Sequence, residues 1–491
     1  MANPPPKLKW AIFIGIALLA LAIRLPQLGG RPMHTDESIN AYITGDLLAG
    51  EPFRYDPHDR HGPLLYALAE PLARLQGAKN LADLTESELR LTPVLAGTAT
   101  ILLLGAGVEM FGFIACLTAA ILFAFGPLSV YYNRYFIHES LFVAATLGLW
   151  LSGWRWLNTN RPTAAALTGL CAALMLACKE TSVIHLFAIA AACLLGWRIM
   201  PRATFQKPWT WLLALGVFLG TIVLLFTWFG RNWSGLTDLF HVLPNVASRA
   251  AGQGHEKPFG YYFTLLDASY LLFPLTLAGI YIAIWDTVNG SRQPHLLLVL
   301  YAAFTFLIYS AIPYKTPWLA LNLWLPLVII NGFGVTAIWS LFTKPVMHWI
   351  AGVICLLFVL SMLQETKILV FDKPADEKNP YAYAHTGEDI LRLPPRLAEL
   401  AKERNLANPR IAVVAKDAWP LPWYLRKFSQ VGYWQPDQDP GPADFYITSA
   451  DVSDSLAAKL KGMRPDYFGV RPEVLAILWT PPPTNTPTAT P

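Results

Sequence analysis

Charged residues are scarce in this chain. Of its 491 residues, only 14% are Asp, Glu, Lys or Arg, whereas 54% are hydrophobic. Globular chains carry roughly 25% charge, and single soluble domains rarely exceed about 300 residues. A mean hydropathy of +0.39 and 18 tryptophans suit a polytopic membrane protein, in which aromatic side chains collect at the interfaces. The low charge therefore excludes an ordinary soluble enzyme.

Two further absences exclude other classes of protein. The formal net charge is only +4, and no run of Lys and Arg with interleaved aromatics forms a basic stripe. The five cysteines lie in or beside apolar runs, and their spacing builds neither a zinc site nor a disulfide framework. We therefore expect no nucleic-acid partner and assign no structural metal.

Apolar windows of about 20 residues, the length that spans a bilayer, occur about eleven times. They lie near residues 10–25, 92–110, 113–131, 138–154, 163–178, 181–199, 209–229, 262–285, 294–312, 317–342 and 347–363. The first is interpreted as a retained helix, because Leu-Pro-Gln follows it where a signal peptide would have small residues. The predicted fold class is an α-helical polytopic membrane protein with a small C-terminal α/β domain.

The distribution of cations predicts the orientation. If the N-terminus is inside, the inner segments hold many cations against only Glu109 and Asp286. These cations are Lys7, Lys9, Arg155, Arg161, Arg198, Arg202, Lys207, Arg292 and Lys344. Cytoplasmic loops accumulate Lys and Arg. We therefore expect a plasma-membrane protein with a cytoplasmic N-terminus and an extracytoplasmic C-terminal domain.

Three regions follow from this pattern. Residues 1–364 form the membrane domain, with a first outer loop at 26–91. Residues 365–480 form the α/β domain, with strands at 411–416, 443–449 and 474–479 and helical periodicity at 396–404 and 454–462. The Pro- and Thr-rich tail, 481–491, is expected to be disordered.

Acidic residues open the first outer loop. The segment HTDES brings His34, Asp36 and Glu37 close to the end of a membrane helix. Carboxylates at a membrane surface are costly to desolvate, and burial would raise at least one pKa into a range useful for proton abstraction. Asp36 is therefore a candidate general base with Glu37 beside it. The alternative is that Asp36 only caps a helix beginning at Glu37.

Charged side chains crowd the same loop further along, in RYDPHDRHGPLLYAL. They are Arg54, Asp56, His58, Asp59, Arg60 and His61. Cations here could hold a phosphate, or the loop could be solvated, with its arginines on lipid head groups. His and Asp could also bind a divalent metal, although their spacing matches no closed ligand set. No cofactor is assigned.

Two short outer segments add further candidates. YYNRYFIHES places Arg134 about one helical turn before His138 and Glu139, and CKET carries Lys179 and Glu180. Ionisable residues at membrane edges are functional candidates by default. The alternative is that they form pairs, such as Arg134 with Glu139, which only orient the helix ends.

Two lysines lie in later outer segments. Lys315 is flanked by Pro313 and Pro317, which are expected to stiffen its backbone and point it outward. Lys257 precedes a span beside two tyrosines and could contact substrate or simply snorkel. Acids and cations thus come from five loops on one predicted side, as a site for an anionic, membrane-anchored substrate requires.

These motifs resemble the GT-C superfamily of membrane glycosyltransferases. HTDES is similar to the acidic motif that follows the first membrane helix, and HGPLLYAL to the basic-Pro-Leu segment of the same loop. NRYFIHESLFV is similar to the second-loop motif of the protein-mannosyltransferase-like branch. A prokaryotic family described as flippase-activity-associated is closer still. That resemblance is carried by NRYFIHES, KET, KPFGYY, YKTPWLALN, NPYAYAHT and WPLPWYLR, and it covers most of the chain.

The resemblance implies an inverting glycosyltransferase. Its donor would be a polyprenyl-phosphate-linked sugar, and its acceptor a hydroxyl of a glycan, lipid or protein at the outer face. Asp36 corresponds to the base and Glu37 to its neighbour. His61 stands where related aminoarabinose transferases have a lysine facing the donor phosphate. Because histidine is only partly charged at neutral pH, phosphate binding could fall to other cations.

The full set of substrate-binding candidates comes from several loops. It comprises Arg60, His61, Arg134, His138, Glu139, Lys179, Glu180, Lys257 and Lys315. Many relatives have a single Asp where this chain has His138-Glu139, so the role of Glu139 is open. Two other functions stay open: a flippase or transport component for lipid-linked glycans, and a non-catalytic scaffold. Transporters typically contain internal repeats and ionisable residues near the midplane, and the sequence shows neither.

Overall fold

The computed structural model describes residues 4–57, 60–201, 207–241, 255–266, 272–450 and 454–482. The chain divides into two compact units. The first comprises Met1–Leu28, Glu51–Ala73 and Ser87–Lys373, and the second comprises Gly29–Gly50, Arg74–Glu86 and Pro374–Pro491. Two pieces of the loop 26–91 therefore group with the C-terminal residues rather than with the membrane helices.

Helices dominate the first 366 residues. In chain order they are α1 (Pro6–Arg24), α2 (Thr35–Leu48), α3 (Leu64–Leu75), α4 (Glu86–Ala106), α5 (Val108–Phe111), α6 (Phe113–Phe125), α7 (Pro127–Tyr132), α8 (Glu139–Thr159), α9 (Pro162–Cys178), α10 (Ser182–Leu195), α11 (Trp209–Phe226), α12 (Ser234–Leu239), α13 (Tyr261–Leu266), α14 (Leu272–Val288), α15 (His295–Ala311), α16 (Ala320–Leu341) and α17 (Pro345–Thr366).

Over its described residues, each predicted apolar window consists mainly of helix. The window 113–131 is divided into α6 and α7 at Gly126-Pro127, because proline lacks the N–H that would continue a helix and instead suits its first turn. Within the described ranges, five helices are long and apolar enough to cross a membrane, and five shorter ones are also apolar. The chain is thus a polytopic α-helical membrane protein, and eleven spans stays a prediction.

A five-stranded sheet forms part of the second unit. The strands are β1 (Arg410–Val414), β2 (Gln430–Trp434), β3 (Phe445–Thr448), β4 (Arg464–Arg471) and β5 (Val474–Thr480). Their order is β2-β1-β3-β5-β4, with β1 parallel to β2 and β3, and β5 antiparallel to β3 and β4. The accompanying helices are α18 (Leu393–Glu403), α19 (Leu421–Tyr424) and α20 (Asp454–Leu460).

The three strands predicted from apolar runs are confirmed as β1, β3 and β5, and the two predicted helices as α18 and α20. The two edge strands were not predicted. β2 contains Gly432 and β4 contains Pro465 and Asp466, so neither shows a continuous apolar run. An edge strand tolerates such residues because one side of it is unpaired. Most of the predicted disordered tail, residues 483–491, lies outside the described residues.

Candidate active site

The acidic motif forms the first turn of α2, which begins at Thr35. His34 is the N-cap residue, and its Nδ1 accepts the Asp36 N–H at 3.1 Å. In return, the His34 N–H donates to Glu37 Oε2 at 3.2 Å. This reciprocal arrangement is a capping box, which fixes the start of a helix. The expectation that Asp36 caps a helix starting at Glu37 is therefore wrong, because the imidazole of His34 is the cap.

The two adjacent carboxylates have different surroundings. Glu37 is fully buried, and its Oε1 lies 3.6 Å from the Arg31 guanidinium. The side chain of Asp36, by contrast, is 43% exposed. Within the described part of the second unit its carboxylate makes no hydrogen bond, and it lies 3.9 Å from His34 Nδ1. Glu37 is thus committed to the cap, whereas Asp36 is open to a substrate and held on a fixed turn.

His34 is a neutral residue at this turn. Its Nδ1 accepts a backbone N–H, so the proton resides on Nε2, which donates to the Tyr383 carbonyl at 3.1 Å. Burial lowers the pKa of His34 below its usual 6.5, although the carboxylates of Asp36 and Glu37 oppose this shift. Protonation of Nδ1 would break the cap hydrogen bond. The hydrogen-bond geometry and the lowered pKa therefore both indicate a neutral imidazole.

The first unit holds a separate cluster of ionisable residues. Lys179 follows the last residue of α9, and Glu139 is the first residue of α8. Lys179 Nζ lies 2.5 Å from Glu139 Oε1, and both side chains are buried. Burial by itself would lower the pKa of Lys179. The effect of the Glu139 carboxylate is larger, so the pKa of Lys179 is raised. The two residues therefore form a buried ion pair.

Glu180 belongs to the same cluster and binds the preceding loop. Its Oε2 accepts from His61 Nδ1 at 2.9 Å, and its Oε1 accepts from the Tyr55 hydroxyl at 2.9 Å. Burial opposes its ionisation, but His61, the backbone and Tyr55 together lower the pKa of Glu180 to about 2. Glu180 is therefore ionised throughout the physiological range. Glu180 holds the His61 ring through Nδ1, so Nε2 lies on the side of the ring away from the Glu180 carboxylate. One third of the His61 side chain is exposed.

His138 and Gly62 bring the loop close to the end of α9. His138 Nε2 hydrogen-bonds the Gly62 carbonyl at 3.1 Å, and the rings of His61 and His138 meet edge to face. Burial, with the neighbouring charges of His61 and Lys179, holds the pKa of His138 well below its usual value. A Cβ atom on Gly62 would lie 2.2 Å from the Ala177 carbonyl oxygen. Only glycine permits this approach.

Arg134 has a different environment from the one expected. Its guanidinium donates to three backbone carbonyls at the end of α1, those of Arg24 at 2.7 Å, Pro26 at 2.6 Å and Gln27 at 3.0 Å. The alternative of an Arg134–Glu139 pair is wrong, because Glu139 pairs with Lys179. The Arg24 carbonyl is one that the helix leaves unsatisfied, whereas Pro26 and Gln27 follow the helix. Arg134 therefore caps α1, and its contact with a donor phosphate stays a prediction.

Lys315 is buried rather than directed outward. Only 1% of the residue is exposed, and its Nζ donates to the carbonyls of Lys257 at 3.1 Å and Ile312 at 2.5 Å. Backbone hydrogen bonds also join the two segments, from the Lys257 N–H to the Pro313 carbonyl and from the Lys315 N–H to the His255 carbonyl. The proline-based expectation failed because proline constrains the backbone and does not direct a lysine side chain.

Arg60 is the other cation beside His61. It is half-buried, and its side chain makes no hydrogen bond or ion pair among the described residues of the first unit. Its neighbours His58 and Asp59 lie outside the described residues. Within the described ranges, no group of three or more His, Cys, Asp or Glu side chains could hold a metal ion. The suggested divalent-metal site therefore has no structural support in that part of the chain.

Two buried polar groups were not singled out from the sequence. Arg24 is fully buried at the end of α1, and its guanidinium donates to Asn133 Oδ1 at 3.0 and 3.2 Å and to carbonyls of α6. His185, in α10, hydrogen-bonds the hydroxyls of Tyr301 and Tyr309, each at 2.7 Å. Ionisable residues inside apolar helices are uncommon. That rule alone would have identified His185.

Part of the sequence and the architecture of the chain are similar to known proteins. Residues 62–228 match the family model of dolichyl-phosphate-mannose-protein mannosyltransferases. No curated protein matches the chain. The crystal structure of ArnT from Cupriavidus metallidurans bound to undecaprenyl phosphate is 14% identical, with a TM-score of 0.66, and the match covers 95% of this chain and 97% of ArnT.

Two other solved structures show the same architecture. AglB, an oligosaccharyltransferase from Archaeoglobus fulgidus in complex with an inhibitory peptide and a dolichol-phosphate, is 13% identical, with a TM-score of 0.56 and coverage of 98% of this chain and 75% of AglB. The arabinofuranosyltransferase AftD from mycobacteria is 14% identical, with a TM-score of 0.53 and coverage of 98% and 40%.

The chain therefore shares the fold of ArnT, AglB and AftD. With the family match over residues 62–228, this shared fold supports the glycosyltransferase activity of the GT-C type that the sequence predicts, which is proposed below. The narrower resemblance to the flippase-activity-associated family is not supported by these comparisons and stays a prediction.

Proposed function

We propose that this protein transfers a sugar from a polyprenyl-phosphate donor to an acceptor hydroxyl at the outer face of the plasma membrane. ArnT and AglB bind an undecaprenyl phosphate and a dolichol-phosphate, respectively. The observation that carries the proposal is Asp36, on a turn fixed by a capping box. Its carboxylate is half-exposed and makes no hydrogen bond among the described residues of its unit. The proposal keeps a cytoplasmic N-terminus and an extracytoplasmic C-terminal region.

Asp36 acts as the general base. Its carboxylate accepts the proton of the acceptor hydroxyl while that oxygen forms a bond to the anomeric carbon. The bond from the anomeric carbon to the phosphate oxygen breaks on the opposite face, and its electron pair leaves with the lipid phosphate. The configuration of the sugar therefore inverts. Glu37 supports this chemistry indirectly, because it secures the helix turn that carries Asp36.

The cluster in the first unit suits the lipid phosphate. Arg60 and His61 are its accessible basic side chains, and Glu180 orients the His61 ring. Lys179, which forms an ion pair with Glu139, contributes a further positive charge. Preorganised cations of this kind stabilise negative charge that develops on a leaving group. Arg134 and Lys315 are secondary candidates, because backbone carbonyls already occupy several of their donors.

An apolar cavity in the first unit suits the polyprenyl chain. Its volume is about 740 Å³, and its wall includes Phe263, Leu277, Phe306, Leu323 and Ile330. The connection that carries Lys315 leads into α16, which contributes two of these residues. Burial of an isoprenoid chain against apolar side chains is favourable at about 25 cal/mol per Å². The cavity thus supports a lipid-linked donor.

The test compares two carboxylate variants of the purified protein. Asp36→Asn should reduce sugar transfer by at least about 100-fold, the usual contribution of a general base. Glu51→Gln, which neutralises an exposed carboxylate in the same loop, should leave transfer unchanged. Both variants should unfold like the wild type, because neither side chain is part of the cap. Wild-type transfer by Asp36→Asn would overturn the assignment of the base.

A further inference from the structure

A charged pair in the second unit contacts the turn that carries Asp36. Arg471, at the end of β4, donates to Thr35 Oγ1 at 3.3 Å and to Asp417 Oδ2 at 2.7 Å. Thr35 is the residue immediately before Asp36. The side chain of Arg471 is 22% exposed and that of Asp417 is 46% exposed. Both partners of the pair are therefore accessible beside the proposed base, and the proposed reaction leaves them without a role.

Three aromatic side chains of the second unit extend the surface that Arg471 and Asp417 form. Tyr42 lies seven residues after Thr35 on α2, and this spacing returns to the same helix face. Its ring meets that of Trp419 edge to face, at a centroid distance of 5.9 Å. Tyr433 lies on β2, and partial burial together with the Tyr42 hydroxyl raises the pKa of Tyr433. Tyr42 and Tyr433 are 40% and 41% exposed.

These five residues define an aromatic surface, which comprises Tyr42, Asp417, Trp419, Tyr433 and Arg471. The composition of this surface favours one class of ligand over others. The Arg471 charge is balanced by Asp417, so an anionic ligand gains little from it, and a purely apolar ligand would leave the charged pair without a partner. A sugar ring matches both parts, because its C–H face is apolar and its hydroxyl rim both donates and accepts hydrogen bonds. Amphipathic aromatic rings also supply contact area at low cost in conformational entropy.

We propose that the aromatic surface binds the saccharide part of the acceptor. The rings stack on a sugar, and the Arg471–Asp417 pair binds its hydroxyls, which places the acceptor beside Thr35 and Asp36. The acceptor is then a glycan rather than a peptide or a simple lipid. This inference rests on the proposed function for its role in transfer, although saccharide binding itself can be measured without transfer.

The binding experiment uses the full chain in detergent micelles and a panel of fluorescently labelled neutral trisaccharides. Tyr42→Ala should weaken binding of the best trisaccharide by about tenfold, the effect expected for one lost aromatic contact. Tyr42→Phe should retain binding, because stacking needs the ring and not the hydroxyl. Tyr467→Ala removes a tyrosine that is 58% exposed on the edge strand β4 and should have no effect.

The outcomes separate the two proposals. Trisaccharide binding that depends on Tyr42, in a protein that does not consume its donor, would support this inference and overturn the proposed function. Donor consumption without trisaccharide binding, or with binding unchanged in Tyr42→Ala, would overturn the inference alone. A peptide panel and phosphatidylcholine vesicles provide the remaining comparison. If Tyr42→Ala weakens binding only to peptides or vesicles, the surface has another partner and the inference is wrong.

Discussion

The buried ion pair between Lys179 and Glu139 allows a quantitative prediction. In Lys179→Met the Glu139 carboxylate, whose side chain is 2% exposed, is left without its cation. Removal of one partner from a buried pair costs about 3–5 kcal/mol of unfolding free energy, because the remaining charge is desolvated and unpaired. We expect Glu139→Gln to cost a similar amount, since the Lys179 side chain is only 9% exposed.

The double variant Glu139→Gln/Lys179→Met should recover most of this loss. Neither charge then remains buried. The coupling energy of the cycle, which is the sum of the two single losses minus the small loss in the double variant, should be at least about 5 kcal/mol. Unfolding by SDS titration in mixed micelles measures each variant. The exposed pair Lys367–Asp372 is the matched control, with side chains 68% and 43% exposed, and Lys367→Met should cost less than about 1 kcal/mol. A double variant as unstable as the sum of its parents would refute the reasoning.

The same double variant also separates stability from function. If Lys179 helps to stabilise the departing phosphate, transfer should stay low although the fold is restored. The comparison is valid because unfolding and transfer are measured on one purified sample. Recovery of wild-type transfer would mean that the pair only joins α8 to the end of α9.

Two other predictions follow from close contacts. Gly62→Ala should destabilise the fold by about 3 kcal/mol, because the added Cβ atom would meet the Ala177 carbonyl. Gly216 has open space around it, so Gly216→Ala should be tolerated in the same SDS titration. Equal losses of unfolding free energy in the two variants would contradict this prediction. Because the folded state keeps His34 neutral, unfolding free energy should fall as the pH drops below about 6.5. His34→Asn keeps an N-cap side chain and should weaken that pH dependence, and an unchanged pH profile would show that His34 does not cause it.

Apolar length and period were sufficient to predict most of the fold. Helices such as α9 and α15 follow from apolar runs of the required length, and β1, β3 and β5 from short runs of β-branched, aromatic and other apolar residues. Edge strands could not be predicted in this way, because solvent and loops permit polar residues there. The grouping of Gly29–Gly50 with the C-terminal residues is likewise a tertiary property that no local pattern carries.

The candidate site was predicted only as a set of residues. Charged motifs identified Asp36, His61, Glu139, Lys179 and Glu180, but the partner of each one depends on packing between distant segments. Histidine is an uncommon N-cap residue, so sequence preferences favoured the neighbouring aspartate as the cap.

The cations also differ from expectation for a physical reason. Lys315 was expected to point outward, and Arg134 to bind substrate, with an Arg134–Glu139 pair as the alternative. Both instead bind backbone carbonyls at ends of helices or in irregular connections. Every residue type carries such carbonyls, so the sequence does not reveal which of them need a donor.

Donor turnover by the purified protein tests the central claim most directly. The protein in lipid nanodiscs receives a polyprenyl-phosphate sugar and a glycan acceptor, and mass spectrometry quantifies the products. We expect one molecule of polyprenyl phosphate released for each new glycosidic bond, with inverted configuration, and no turnover by Asp36→Asn. If no glycosidic bond forms and the donor remains intact, while liposome reconstitution shows it moving between leaflets, the account is contradicted and a transport function is favoured.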